Sequence, residues 1–359
     1  MSIMDTVKSA MGLNPIHHAD LDMQRVLDAL DGLDPKPLHR LTPEEARRQP
    51  TPADAVRHLM RQENIAPPAD TLQVEDIAIA DAAGGANPAR VYRPAGQGPL
   101  PVILYFHGGG WVIADLDTYD ATPRALAMQT GAIVVSAHYR QAPEHKFPAA
   151  HEDACAAYAW LLQNAAGLGA DPARIALAGE SAGANLAINV AIHARDQGLQ
   201  APLYQVLVYP LANMDTDTES YHDSSNARPL GKEAMLWFLE HATATDQDRQ
   251  SPLLRVLDAR LQGLPAATVI TAGIDPLRTE GEQLAHALTE AGVPVTHKGF
   301  AGVTHEFFGM APVLEAARQA QALVCEHLRR ALQGTGGAAG PADGAAPVPP
   351  NETGKAPPM

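Results

Sequence analysis

The sequence predicts a doubly wound α/β domain, a mostly parallel sheet with helices on both faces, and three observations carry the prediction. From residue 100 onward, six short β-type runs (PVILYF, AIVVSAH, RIALAG, YQVLVYP, ATVITAG and PVTHKGF) alternate with helix-type stretches. The chain has 359 residues, of which 46% are apolar, enough for one large core. No uninterrupted apolar run approaches the ~18 residues of a membrane span.

Before that alternation the chain reads differently. Residues 1–66 are expected to be helical and to form an N-terminal cap segment. DLDMQRVLDALDGL spaces Leu21, Met23, Val26, Leu27 and Leu30 on one broad face, and TPEE offers Thr42 as N-cap, Pro43 at N1 and Glu45 at N3. Pro67 and Pro68 break the helical pattern. TLQVEDIAIAD and PARVYRPAG then read as an antiparallel hairpin turned at Gly84 and Gly85, opening a core that spans 67–211.

Residues 212–250 interrupt the alternation with a helix that is apolar nearly all round at Met235, Leu236, Trp237, Phe238 and Leu239. Such a helix needs cover on more than one side, as a core helix or as a cap insertion over a pocket. The core resumes over 251–333. The tail 334–359, rich in Gly, Ala and Pro with almost no large apolar side chain, is expected to be disordered.

Charge and cysteine usage narrow the partners. Lys and Arg total 26 against 41 Asp and Glu, a formal charge of −15, which argues against nucleic acid and anionic membrane surfaces. Cys155 and Cys325 lie far apart in helix-type segments and are expected as free thiols. The opening MSIMDTVKSAMGLNPIHH has one early lysine and no sustained apolar block, so it does not read as a secretory leader and a cytoplasmic location is expected.

The chemistry concentrates at two corners where a strand-type run ends. Gly179-Glu180-Ser181-Ala182-Gly183 has the G-x-S-x-G form of a nucleophile elbow, whose small residues let a tight strand-to-helix turn lift a serine hydroxyl above a sheet. Alone the pattern is weak, arising by chance in roughly one chain in ten of this length. Its setting between IALA and ANLAINVAIHA is what the mechanism requires. Earlier, LYFHGGGW places His107, Gly108, Gly109 and Gly110 after a buried-type strand, where backbone N–H groups can face a developing negative charge. Gly108 and Gly109, with the N–H of Ala182, are the expected oxyanion donors.

A serine hydroxyl needs a base, and the base an orienting carboxylate, in the chain order Ser, acid, His. Asp275 ends a strand-type run in VITAGIDPLRTEGEQ, and His305 follows the next one in KGFAGVTHEFFG. Both fall where a doubly wound sheet presents its active edge. Asp275 also has the competing role of capping the next helix ahead of Pro276, and His305 is one of 15 histidines. There is no H-E-x-x-H, no cysteine pair with zinc spacing and no G-x-x-x-x-G-K-[ST], so neither a metal nor an organic cofactor is expected.

HGGGW, YRQAPEHKFPAA, DPARIALAGESAGANLA, VLVYP, SPLL, DPLRTEG and THEFF recur in an order that resembles the hormone-sensitive-lipase-like carboxylesterases of the α/β-hydrolase superfamily, over residues 70–330. The resemblance implies an α/β-hydrolase fold with a helical cap. It also implies hydrolysis of short- to medium-chain acyl esters through Ser181, Asp275 and His305 by way of an acyl-enzyme. Trp111, Trp237 and Phe238 are then candidate walls of the substrate pocket, and a homodimer stays open. Three positions depart from the family pattern: Glu180 and Thr279 where many members carry Asp, and Glu306 where glycine often follows the histidine. A non-catalytic ligand receptor on the same scaffold is the contrasting reading, opposed by the presence of His305. An amidase using the same residues is the other, since both reactions pass through a tetrahedral oxyanion.

Overall fold

The computed structural model describes residues 19–333 apart from 68 and 70. The expected disordered tail at 334–359 and the first 18 residues of the N-terminal segment lie outside the described residues.

Three helices come first: α1 (Leu21–Gly32), α2 (Pro43–Ala46) and α3 (Pro52–Gln62). Capping boxes start the last two, Thr42 with Glu45 and Thr51 with Asp54, each with proline at the first turn. The stripe of α1, Met23, Val26, Leu27 and Leu30, packs with Ala55, Val56 and Leu59 of α3. α1 is also tied to the distal end of the chain. Asp20 N–H donates to Gly302 O at 2.8 Å, Thr304 Oγ1–H to Met23 Sδ at 3.6 Å, and Glu315 N–H to Asp22 Oδ2 at 2.9 Å.

The sheet has eight strands: β1 (Gln73–Ala80), β2 (Ala86–Arg93), β3 (Leu100–Phe106), β4 (Ile133–Ala137), β5 (Ala170–Glu180), β6 (Tyr204–Val208), β7 (Ala267–Ile274) and β8 (Val295–Thr304). Their spatial order is β1-β2-β4-β3-β5-β6-β7-β8. The expected hairpin is present: β1 and β2 are antiparallel to each other and β2 is antiparallel to β4, while β4 through β8 run parallel.

Alternation along each strand builds two cores. Val102, Leu104 and Phe106 of β3 face α5 (Ala149–Asn164), α6 (Ala182–Asp196) and α9 (Arg278–Glu290). Ile103 and Tyr105 face α4 (Ala121–Thr130), α10 (Glu315–Leu332) and the N-terminal helices. Each fully buried Leu or Ile contributes about 1.5–3 kcal/mol. The parallel strands all point their carboxyl ends to one edge, where His107, His138, Ser181, Tyr209, Asp275 and His305 each follow directly on a strand.

The 212–250 segment holds α7 (Glu219–Asp223) and α8 (Lys232–Ala242). Met235, Trp237, Phe238 and Leu239 are buried and Leu236 is exposed, so α8 is covered on more than one side but keeps one face to solvent. Thr279 joins this segment to the core: its Oγ1 accepts from Ser220 N–H at 3.3 Å, and its own N–H donates to Ser220 Oγ at 3.2 Å. Cys155 and Cys325 are free. No described helix is long and apolar enough to cross a membrane.

Candidate active site

β5 delivers Ser181 at its end. The residue sits at φ 56°, ψ −121°, a conformation that costs a non-glycine roughly 1–3 kcal/mol and persists only where neighbours over-determine it. Here they do: Ser181 N–H donates to Val208 O at 2.9 Å, and the turn is pressed against β3. A methyl group on Gly183 would stand 2.1 Å from Phe106 O, so only glycine lets α6 start this close to the neighbouring strand.

The glycine loop follows β3. His107 is fully buried, and its Nδ1–H donates to Gly108 O at 2.8 Å, which leaves Nε2 to accept from Nδ1–H of His138 at 2.9 Å. Burial, with His138 beside it, pushes the His107 imidazole down to about 3, so it stays neutral. Tyr139 O–H donates to His107 O and Gly108 O at 3.0 and 3.1 Å. The loop is therefore held through its carbonyls. Among the described residues, the N–H groups of Gly108, Gly109 and Ala182 donate to no backbone carbonyl. Gly110, at φ 59°, lies under the Phe238 ring, which a methyl group there would meet at 2.3 Å.

Asp275 and His305 come together from the ends of β7 and β8. His305 Nδ1–H donates to Asp275 Oδ2 at 2.7 Å, and both residues are buried, 3% and 0% exposed. The other oxygen, Oδ1, accepts from Leu277 N–H at 2.9 Å. One carboxylate thus caps the turn into α9 and orients the imidazole, two roles that the sequence made look like alternatives. Burial works to depress the imidazole, but the charge and hydrogen bond of Asp275 outweigh it and hold His305 above its ordinary value. With Nδ1 protonated toward Asp275, Nε2 is the free acceptor. Glu280, five residues on, points elsewhere. It accepts from Ala212 N–H and Asn213 N–H at 2.7 and 3.1 Å, and burial pushes its carboxyl up to about 8.

Ser181 and His305 border one cavity of about 540 Å³. The N-terminal segment and the 212–250 segment complete its rim, and Trp111 and Phe238 stand in its wall. Trp237 is a correction. It lies outside the lining, with its indole N–H donating to Leu41 O at 3.0 Å. Adjacent positions on a helix point about 100° apart. With Phe238 turned to the cavity, Trp237 faces the short 3-10 turn at Leu38–Arg40 instead.

The residues missed by sequence reasoning are mostly hydroxyl and imidazole partners. Tyr105 and Tyr209 both donate to the Glu180 carboxylate, the first at 2.6 Å, and the Tyr209 ring packs 4.4 Å from that of His305. Burial and the nearby Glu306 push Glu180 up to about 7. Tyr119 O–H donates to Glu306 Oε1 at 2.5 Å. Tyr209 and His138 follow the ends of β6 and β4 on the active edge, positions that could have flagged them; Tyr119 carries no such signal. Among the described residues, no group of three or more His, Cys, Asp or Glu is arranged to hold a metal ion.

Comparison with known proteins identifies the family and the fold. Residues 103–309 match the family model described as alpha/beta hydrolase fold. Carboxylesterase NlhH of Mycobacterium tuberculosis is 40% identical over 250 residues, covering 68% of this chain and 78% of that protein. Ethyl acetate hydrolase of Pseudomonas putida is 33% identical over 302 residues, covering 82% and 92%. Among solved structures, the hyperthermophilic esterase of the archaeon Pyrobaculum calidifontis superposes with a TM-score of 0.78 at 38% identity, covering 87% of this chain and 98% of that one.

Proposed function

Since the chain belongs to the α/β-hydrolase fold family, within its hormone-sensitive-lipase-like carboxylesterases, we propose that it is a serine esterase working through Ser181, His305 and Asp275 on short- to medium-chain acyl esters. The chain is a carboxylic ester hydrolase. The observation that carries the residue assignment is the 2.7 Å contact of His305 Nδ1 with Asp275 at the edge of the cavity that Ser181 also borders.

His305 Nε2 takes the Ser181 proton as Oγ attacks the ester carbonyl. The oxyanion that forms is held by the N–H groups of Gly108, Gly109 and Ala182. Collapse expels the alkoxide, which receives its proton from His305, and leaves the acyl group on Ser181. Water, deprotonated by the same imidazole, then attacks the acyl-enzyme and releases the acid. Asp275 keeps the imidazole in the required tautomer and offsets its positive charge.

Residues 1–66 and 212–250 act as the cap, and Trp111 and Phe238 limit the acyl chain. Supporting this, described parts of both segments border the cavity together with Ser181. The name of the Pseudomonas putida relative favours small acyl groups. A p-nitrophenyl ester series run beside the matching anilides tests the reading, with an organophosphate expected to label Ser181 and no other serine. Turnover of anilides at the ester rate would make the protein an amidase; label elsewhere would remove Ser181 from the mechanism.

A further inference from the structure

The residue after His305 holds an unusual backbone conformation. Glu306 sits at φ 73°, left-handed backbone that glycine adopts without strain and other residues rarely enter. Its side chain borders the substrate cavity, and Oε1 accepts the 2.5 Å hydrogen bond from Tyr119 O–H. That same phenol oxygen presses on the oxyanion loop, for a methyl group on Gly108 would meet it at 2.3 Å. A continuous path therefore runs from the loop of the general base through Glu306 and Tyr119 to the first oxyanion glycine.

Building on the serine-esterase mechanism proposed above, we propose that Glu306 is a positioning residue for ester hydrolysis: it braces Gly108 through Tyr119 and provides a second counter-charge for the His305 imidazolium. Charge develops on His305 only as Ser181 gives up its proton, so an anion fixed beside that ring favours the transition state over the resting enzyme. The groups facing His305 are Asp275 from the end of β7, Glu180 from the end of β5, the Tyr209 ring from the end of β6, and Glu306 from its own loop. Glu306 in turn faces Tyr119, His305 and Glu180, with Asp275 beyond; burial pushes its carboxyl up, while the charge that develops on His305 and the Tyr119 hydrogen bond pull it back toward the ionised form. Glu180 is already engaged by Tyr105 and Tyr209, and of the three carboxylates that face His305 only Glu306 borders the cavity.

Two variants separate the roles. Glu306→Gln keeps an acceptor for Tyr119 but removes the charge, whereas Tyr119→Phe keeps the charge and removes the brace. For Glu306→Gln the acid limb of kcat/KM should move down by about half to one pH unit, because His305 loses an anionic neighbour, and KM should stay within about two-fold. For Tyr119→Phe, kcat should fall about ten-fold with no downward shift of the limb. Circular dichroism and organophosphate labelling of Ser181 accompany each variant. A limb that stays in place in a folded, labelled Glu306→Gln overturns the counter-charge, and wild-type kcat in Tyr119→Phe overturns the brace. Failure of the wild-type protein to label at Ser181 would instead strike the esterase mechanism itself.

Discussion

The floor and the rim of the cavity are built by different physics. In the floor, Ser181, Gly108, Asp275 and His305 stand at strand ends, held by buried hydrogen bonds and by backbone approaches so close that one methyl group would not fit. The rim is joined by the Trp237 bond to Leu41 O and, nearer its mouth, across solvent. The side chains of Asp31 and Arg228, which link the N-terminal segment to the 212–250 segment, are 46% and 50% exposed, and such a pair contributes about 0–1 kcal/mol. One stronger anchor sits behind it. Arg47 binds Glu144 through two bonds of 2.7 Å and also donates to Val112 O and Ala142 O, each at 2.8 Å. On the function proposed above, the floor carries the reaction chemistry and the rim the choice of substrate.

The largest effect should come from the floor. Ser181→Ala should fold normally and lose on the order of 10⁶ in kcat, the scale found when a triad serine is removed. A tenth of wild-type turnover in that variant would break the contrast at its root. Asp275→Asn should cost about 10⁴ by favouring the wrong imidazole tautomer. Glu280→Gln should cost far less, since Glu280 faces the backbone of Ala212 and Asn213 rather than the imidazole. A reversed order in steady-state rates would move the orienting role to Glu280.

Rim variants should give the smallest and most selective change. Arg47→Ala removes the pin between α2 and the 112–144 loops, so the cavity wall should tolerate longer chains. The ratio of octanoate to acetate turnover should rise by about three- to ten-fold while acetate kcat stays within about three-fold. An equal loss on all chain lengths would mean that the rim also shapes the floor.

The floor was far more legible in the sequence than the rim. Strand ends announce themselves through short apolar runs that give way to glycine, as at Phe106-His107-Gly108 and at Ala178-Gly179, and chain order then selected Asp275 and His305 from many candidates. The double use of the Asp275 oxygens was not readable, because sequence shows a residue and not which oxygen faces which partner. Trp237 and Phe238 were indistinguishable for a related reason: hydrophobicity reports burial, and both are buried, but only the helix phase decides which ring meets the cavity. Arg47 escaped notice because its partners, two carbonyls and the Glu144 carboxylate, lie 65, 95 and 97 positions away.

The attachment of α1 to β8 has a consequence for how the molecule is made. Their contacts join residues 281 positions apart, and the bond from Glu315 N–H to Asp22 spans 293. A ribosome releases the first of these partners long before the second. Throughout synthesis, therefore, the Met23, Val26, Leu27 and Leu30 stripe has α3 for company but not the final strand, and loop closure over so long a separation comes late in folding. The first described helix of the chain waits for the last strand, and Leu30 and Asp31, which help to border the cavity, take their final places only when that strand has been made.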